Sequence, residues 1–92
     1  MKVSFVVPTL NQAAFIGRCL DSCLAQRIPE SEVIVMDGAS SDGTQRVLER
    51  YGERIRWRSE RDGGQSDAVN RGVALATGEL SAWINSDDYY PD

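Results

Sequence analysis

Val33, Ile34, Val35 and Met36 form an unbroken apolar run that passes directly into Asp37-Gly38. A half-exposed strand alternates apolar and polar side chains, so this run reads as a strand covered on both faces. Covering layers on both sides require helices, and the flanking sequence supplies them. Ile16, Cys19, Leu20, Cys23 and Leu24 recur at the spacing of an amphipathic helix that should end before Pro29. Thr44, Val47, Leu48 and Tyr51 repeat that spacing behind capping candidates in Ser40-Ser41-Asp42-Gly43, and Gly52 is placed to end the helix in a left-handed conformation. A third helix carries Val69, Gly72, Val73 and Ala76 on one side, with Ser66 as its cap and Gly78 as its stop.

Three further runs read as strands. Lys2 to Val7 is rich in β-formers and is stopped by Pro8, which cannot donate to a sheet ladder. Ile55-Arg56-Trp57-Arg58 alternates apolar and charged residues, as a half-exposed strand at a sheet edge would. Leu80 to Ile84 is apolar enough to be buried and empties into Asn85-Ser86-Asp87-Asp88. Four strands alternating with three helices over short loops predict right-handed crossovers. The expected fold is a three-layer α/β domain over residues 1–92, a mainly parallel sheet with helices on both faces. In such a sheet the strand exits share one rim, and ligands bind there. Pro8, Thr9 and Asn11, then Asp37, then Asn85 to Asp88 should therefore converge.

Composition narrows what this rim can do. With 92 residues and 41% hydrophobic content the chain can bury one modest core. No apolar run approaches the roughly 20 residues of a membrane span, and the amino end lacks the regions of a signal peptide, so a cytoplasmic location is expected. Cys19 and Cys23 read as buried, reduced thiols, because without His or further Cys a zinc site is disfavoured. A net charge of −4 argues against general nucleic-acid binding, although five arginines crowd between Arg46 and Arg58 as a solvated face.

A rim of carboxylates without His or Lys lacks the parts of a nucleophilic triad. Neither a dinucleotide-binding Gly-x-Gly-x-x-Gly nor a P-loop follows any strand. Asp87 and Asp88 are hard oxygen ligands suited to magnesium or manganese, and either ion can bridge a diphosphate to an acidic rim. Each residue also has a local role open to it. Asp37 before Gly38 can open a turn, Asp67 and Asn70 can cap or decorate the third helix, and Thr9 and Asn11 can cap the first. Arg61 reads as an exposed loop residue, and Asp87-Asp88 as a solvated acidic turn. A non-catalytic metal- or nucleotide-binding module, or a phosphoacceptor domain of the response-regulator type, is the alternative function. The phosphoacceptor type would want a lysine at a later strand end, and Lys2 is the only lysine.

Four stretches carry a further signal: Val6 to Asn11, Val35 to Thr44, Gly63 to Gly72, and Ala76 to Asp88. In order and spacing they resemble the successive motifs of family 2 glycosyltransferases. The resemblance implies a GT-A fold, of which this would be the Rossmann-like half. It also implies transfer of a sugar from a nucleotide-diphosphate donor, commonly a UDP-sugar, with inversion and with Mn2+ or Mg2+ as cofactor. Pro8, Thr9 and Asn11 would then line the nucleotide, Asp37 would accept a hydrogen bond from the base, and Asp67 would lie near the base or ribose. The family's Asp-x-Asp metal motif falls on Asn85-Ser86-Asp87, which makes Asp87 the better metal ligand with Asp88 beside it. Asn85 departs from the motif. Its amide can reach ribose or a metal-bound water, with one negative charge fewer.

The same resemblance implies that residues 1–92 are the donor-binding half of a catalytic domain, truncated after the fourth strand. The acceptor site and the general base would lie beyond Asp92, so no catalytic residue is expected in this chain and it should be inactive alone; the acceptor is unidentified. The implied strand order three, two, one, four makes strand four an edge. With no Lys, Pro or bulge signal to discourage pairing, a second copy is expected to dock along it.

Overall fold

The computed structural model describes residues 2–26, 30–61, 63–78 and 80–86, with the backbone alone at Gln65, Ser66 and Leu80. Strand β1 (Val3–Thr9) leads to helix α1 (Ile16–Ala25), β2 (Glu32–Asp37), α2 (Thr44–Glu49), a short 3-10 turn (Gly52–Arg54), β3 (Arg56–Ser59), α3 (Gln65–Leu75) and β4 (Leu80–Trp83). All pairings are parallel, in the order β3-β2-β1-β4. Both β3 and β4 are therefore edges, as the sequence predicts.

Side-chain parity divides the core into two layers around this sheet. Val3, Phe5 and Val7 of β1 and Val33 and Val35 of β2 join Ile16, Leu20, Cys23, Leu48 and Tyr51 on the α1/α2 side. Ile34 and Met36 face the other way, against Ala68 of α3. Each of Val33 to Met36 is at most 3% exposed, which is the two-sided burial read from their unbroken run. Helix α3 comes so close that a Cβ at Gly72 would overlap Val6 Cγ1 and lie 3.2 Å from Met36 Cγ. Cys19 and Cys23 are buried thiols of the α1/α2 core and are not joined in a disulfide.

Strand β1 does not stop before Pro8 but continues through it, with Pro8 opposite Met36 and Thr9 opposite Asp37. The reason is directional. The Thr9 carbonyl accepts from Gly38 on the β2 side, whereas the Val6 carbonyl accepts from Ile84 on the β4 side. Pro8 shares the parity of Val6, so its missing N–H would point to the β4 side, beyond the last β1–β4 pair at Val6 and Trp83. A second difference concerns α3, which begins at Gln65 behind Gly64, so Ser66 lies inside the first turn rather than at the cap. Gly52 does adopt the left-handed conformation (φ 55°), but α2 has by then already given way to the 3-10 turn. Among the described residues no helix is long and apolar enough to cross a membrane.

Candidate functional site

Parallel register sets Thr9 beside Asp37 and Asp37 beside Ser59, so the exits of β1, β2 and β3 adjoin. Their backbones remain bonded just past the strand ends, with Gly38 N–H donating to the Thr9 carbonyl and Glu60 N–H to the Asp37 carbonyl, each at 2.9 Å. Beyond that point side chains take over from the ladder. Asn11 N–H donates to Ser40 Oγ (2.8 Å), Gln12 N–H to Thr44 Oγ1 (3.3 Å) and Ala13 N–H to Asp42 Oδ2 (3.0 Å). In return Ser41 N–H donates to Asn11 Oδ1 at 2.8 Å. The loops after β1 and β2 are thus laced into one wall. Asn11 and Ala39 hold left-handed backbone conformations in that wall (φ 53° and 65°), which cost non-glycine residues about 1–3 kcal/mol each.

Asp37 anchors the wall from beneath. It is 1% exposed, and its Oδ2 accepts from Ser40 N–H (3.0 Å), Gln45 Nε2 (3.3 Å) and Ser59 Oγ (2.7 Å), while Oδ1 takes the Ser40 hydroxyl. A turn-opening aspartate needs only the first of these bonds. Asp42 is exposed and takes both the hydroxyl and the N–H of Thr44 together with Ala13 N–H; the Thr44 hydroxyl, then the Ala13 amide, hold its carboxyl below the ordinary value.

Thr9 differs from its neighbours. It is 6% exposed, and its Oγ1 is the buried side-chain polar atom that finds no hydrogen-bond partner among the described residues. A buried hydroxyl without a partner costs about 1–3 kcal/mol, so this position calls for a partner that none of the described residues supplies.

Asp67 stands at the amino end of α3, on the same rim but with partners of its own. Its Oδ2 accepts from Gly63 N–H (2.8 Å) and pairs with Arg71 Nε (3.1 Å), and Arg71 bonds Glu60 in turn at 2.9 Å. The Gly63 bond, followed by Arg71, keeps the Asp67 carboxyl below its ordinary value. The helix-decorating role read from the sequence is therefore occupied. Both bonds fall on Oδ2, which leaves Oδ1 without a bond among the described residues. Asn85 and Ser86 follow β4, the first exposed and the second buried. Asp87 and Asp88 lie outside the described residues, and among the described residues no group of three or more His, Cys, Asp or Glu gathers to hold a metal ion.

The structure thus joins Pro8, Thr9, Asn11 and Asp37 through bonded neighbours, while Asp67 sits at the adjoining helix end. Sequence reasoning missed Gln45 and Ser59 as partners of Asp37, since one faces out of a helix and the other ends a polar edge strand. It also treated Ser40 and Asp42 as helix caps and Thr44 as part of the helix face. Their clustering before α2 was the available signal.

Residues 4–92 match the family described as Glycosyl transferase family 2. The chain belongs to this family. An uncharacterized glycosyltransferase from Rickettsia typhi is 35% identical over 98% of the chain, and a PGL/p-HBAD biosynthesis glycosyltransferase from Mycobacterium bovis is 39% identical over 92%. The chain spans 29% and 35% of the lengths of those two relatives. Among solved structures, the mannosyltransferase PcManGT from Pyrobaculum calidifontis, in complex with GDP-Man and Mn2+, superposes with a TM-score of 0.90 at 33% identity, covering 98% of this chain and 28% of that one. TarS 1-349 from S. aureus, in complex with UDP-GlcNAc, gives 0.85 at 34% identity, covering 97% and 27%. The α/β architecture is accordingly that of GT-A glycosyltransferases.

Proposed function

We propose that this rim binds the nucleotide-diphosphate part of a sugar donor, of the UDP-sugar type, together with a divalent cation, as the donor half of an inverting glycosyltransferase. The observation that carries the proposal is the partnerless buried hydroxyl of Thr9 at the exit of the central strand. A ligand polar group placed there removes the cost of leaving that hydroxyl unpaired. Asn11, whose Oδ1 is held by Ser41, offers its Nδ2 protons to the nucleotide. Pro8 provides a rigid apolar floor beside them. Asp37 holds both loops in place, and its Oδ1, with one assigned bond, has capacity for a base N–H. Asp67 Oδ1 and the Asn85 amide are the remaining groups assigned to base, ribose or a metal-bound water.

The laced wall also explains the need for a cation. The amides of Asn11, Gln12, Ala13, Ser40 and Ser41 all donate to protein oxygens, so these five are not free to cradle a phosphate, and a cation takes up its charge instead. Asp87 and Asp88, which follow Ser86 in sequence, have the hard oxygen donors that suit Mn2+ or Mg2+. When bound, such an ion neutralises charge on the departing diphosphate. Proton removal from the acceptor needs a general base, which this proposal assigns beyond Asp92, along with the acceptor site; the chain alone is then inactive. A cytoplasmic location belongs to the same proposal. No observation favours the phosphoacceptor alternative: Lys2, the only lysine, bonds Thr77 at the opposite end of the sheet.

Calorimetric titration of the chain with UDP, with and without Mn2+, tests the reading. Binding that requires the cation is expected. Equal affinity in both conditions would remove Asp87 and Asp88 from their role, and absence of binding in both would sink the donor site.

A further inference from the structure

Gln45 stands in the first turn of α2, and its side-chain amide meets three oxygens. Nε2 is 2.7 Å from Ser59 Oγ, 3.1 Å from the Ser40 carbonyl and 3.3 Å from Asp37 Oδ2. A carbonyl and an ionised carboxylate only accept, so the end of the amide that faces them is the NH2. Ser59 Oγ is also 2.7 Å from Asp37 Oδ2. A hydroxyl has one proton, and here it goes to the carboxylate, while Gln45 fills a lone pair behind it. The NH2 has two protons for three acceptors. The two shorter contacts take them, and the amide acts on Asp37 chiefly through Ser59.

We infer that Gln45 is a positioning residue for Asp37: by holding the Ser59 hydroxyl in place, it decides which acceptor position of that carboxylate stays open to a nucleotide base. The functional consequence rests on the base contact proposed above for Asp37; the bonds themselves do not. Oδ2 has two good acceptor positions, and Ser40 N–H (3.0 Å) and the Ser59 hydroxyl occupy them. Oδ1 takes the Ser40 hydroxyl and keeps its other position. One opening on one oxygen gives the carboxylate a single direction in which to meet a base N–H. Ser59 does not maintain this alone. It is exposed at the end of β3, an edge strand with β2 as its one partner in the sheet, and an exposed hydroxyl turns readily to water. Gln45 opposes that turn from an element that is itself held: Leu48 of α2 is fully buried, and the Thr44 hydroxyl accepts from Gln12 N–H in the loop after β1. With Ser59 turned away, a position on Oδ2 would open as well, and the carboxylate would lose its fixed direction. The base so selected presents a ring N–H, as uracil does. Cytosine has a bare ring nitrogen at the same place, whose lone pair a carboxylate repels.

A clamp that merely ties α2 to β3 makes a different forecast, because its loss would weaken every nucleotide alike. UDP and CDP separate the two cases. They share ribose and diphosphate, so those contributions, and that of any cation, cancel in the ratio of their affinities. Gln45→Met keeps the length and helix propensity of the side chain and removes its donors. Arg46→Met, the next residue of α2 and exposed, is the control. The unaltered chain should prefer UDP. Gln45→Met should lower that preference roughly three- to tenfold, the worth of one net hydrogen bond, with CDP affinity unchanged, and Arg46→Met should keep it. Ser59→Ala should give a similar loss, and combining it with Gln45→Met should add nothing further, since one residue acts through the other. Amide hydrogen exchange accompanies the titrations: Ser40 and Glu60, whose N–H groups bond Asp37, should exchange faster in Gln45→Met, with Gly38, bonded to Thr9, unaltered. Equal weakening of UDP and CDP overturns the inference, as do additive losses in the double variant or unaltered exchange at Ser40 and Glu60. Should the unaltered chain bind UDP no better than CDP, the base contact of Asp37 falls, while exchange at Ser40 and Glu60 still decides whether Gln45 positions the carboxylate.

Discussion

Strand β2 begins at Glu32 and ends at Asp37, and the two carboxylates are treated in opposite ways. Glu32 Oε2 accepts from Ser4 Oγ (2.6 Å) and from both the N–H and the hydroxyl of Thr77 (2.8 Å each). Its Oε1 meets Arg56 at 3.1 Å, and Lys2 Nζ stands 3.9 Å from Oε2. Charge is balanced at that end, and the knot ties β1, β2, β3 and the turn before β4 together. Asp37 is buried more deeply, yet its four side-chain bonds all come from neutral donors: the Ser40 amide and hydroxyl, Gln45 and Ser59. The lower end is organised as a structural closure. The rim holds a buried carboxylate bonded by neutral donors alone, beside a Thr9 hydroxyl that finds no partner among the described residues.

The strongest way to break this contrast is Asp37→Ala. The sequence alone suggests a partly solvated rim carboxylate whose loss would spare stability; at 1% exposure the opposite is expected. Removing it strands two buried serine donors together with Gln45 and Ser59, at about 3 to 5 kcal/mol measured by chemical denaturation. A loss under about 1 kcal/mol would mean the rim reorganises freely and is not a fixed wall.

Next in size is an acid effect at the other end. Burial works against the Glu32 charge, but the bonds from Ser4, Thr77 and Arg56 prevail and lower its pKa from 4.5 to about 2. A lowered folded-state pKa adds stability that is fully present above the unfolded value and is lost as pH falls through the folded one. Glu32 should therefore contribute on the order of 3 kcal/mol above pH 4.5, declining toward pH 2. Denaturation of the unaltered chain and of Glu32→Gln across that range checks it, and the stability gap should narrow as pH drops. A constant gap would assign the effect to packing.

Arg56→Ala should give the smallest effect. The guanidinium is 51% exposed, so its pair with Glu32 is worth about 0.5 to 1 kcal/mol and should weaken in high salt. A loss several times larger, insensitive to salt, would show that the bond from Arg56 to the Leu75 carbonyl, at 3.1 Å, matters more than the ion pair.

Much of this architecture was legible because it follows from patterns carried by neighbouring residues. The unbroken run from Val33 to Met36 demanded two covering layers, and the stripe from Ile16 to Leu24 supplied part of one. The alternation of Ile55 to Arg58 marked an edge. The polar strand exits indicated one rim, and the four motif stretches named the family before any coordinate did. Periodicity encodes which way a side chain faces, and facing decides burial.

Bond partners were another matter. Pro8 looked like a stop because its missing donor is a local property, whereas its tolerance inside β1 depends on where β4, more than seventy positions away, leaves the sheet. Asp37 looked solvated because nothing nearby in sequence shows that Ser59 and Gln45 will close over it. Cys19 looked like core filling, and it is, but its bond to Asn85 spans 66 positions. By itself the sequence determined the elements, the sides they bury, the order of the rim and the family, since these rest on short-range periodicity and motif spacing. Only the tertiary structure decided which rim groups satisfy one another and which, like the Thr9 hydroxyl, are left over, because that follows from strand register and loop closure across the whole chain.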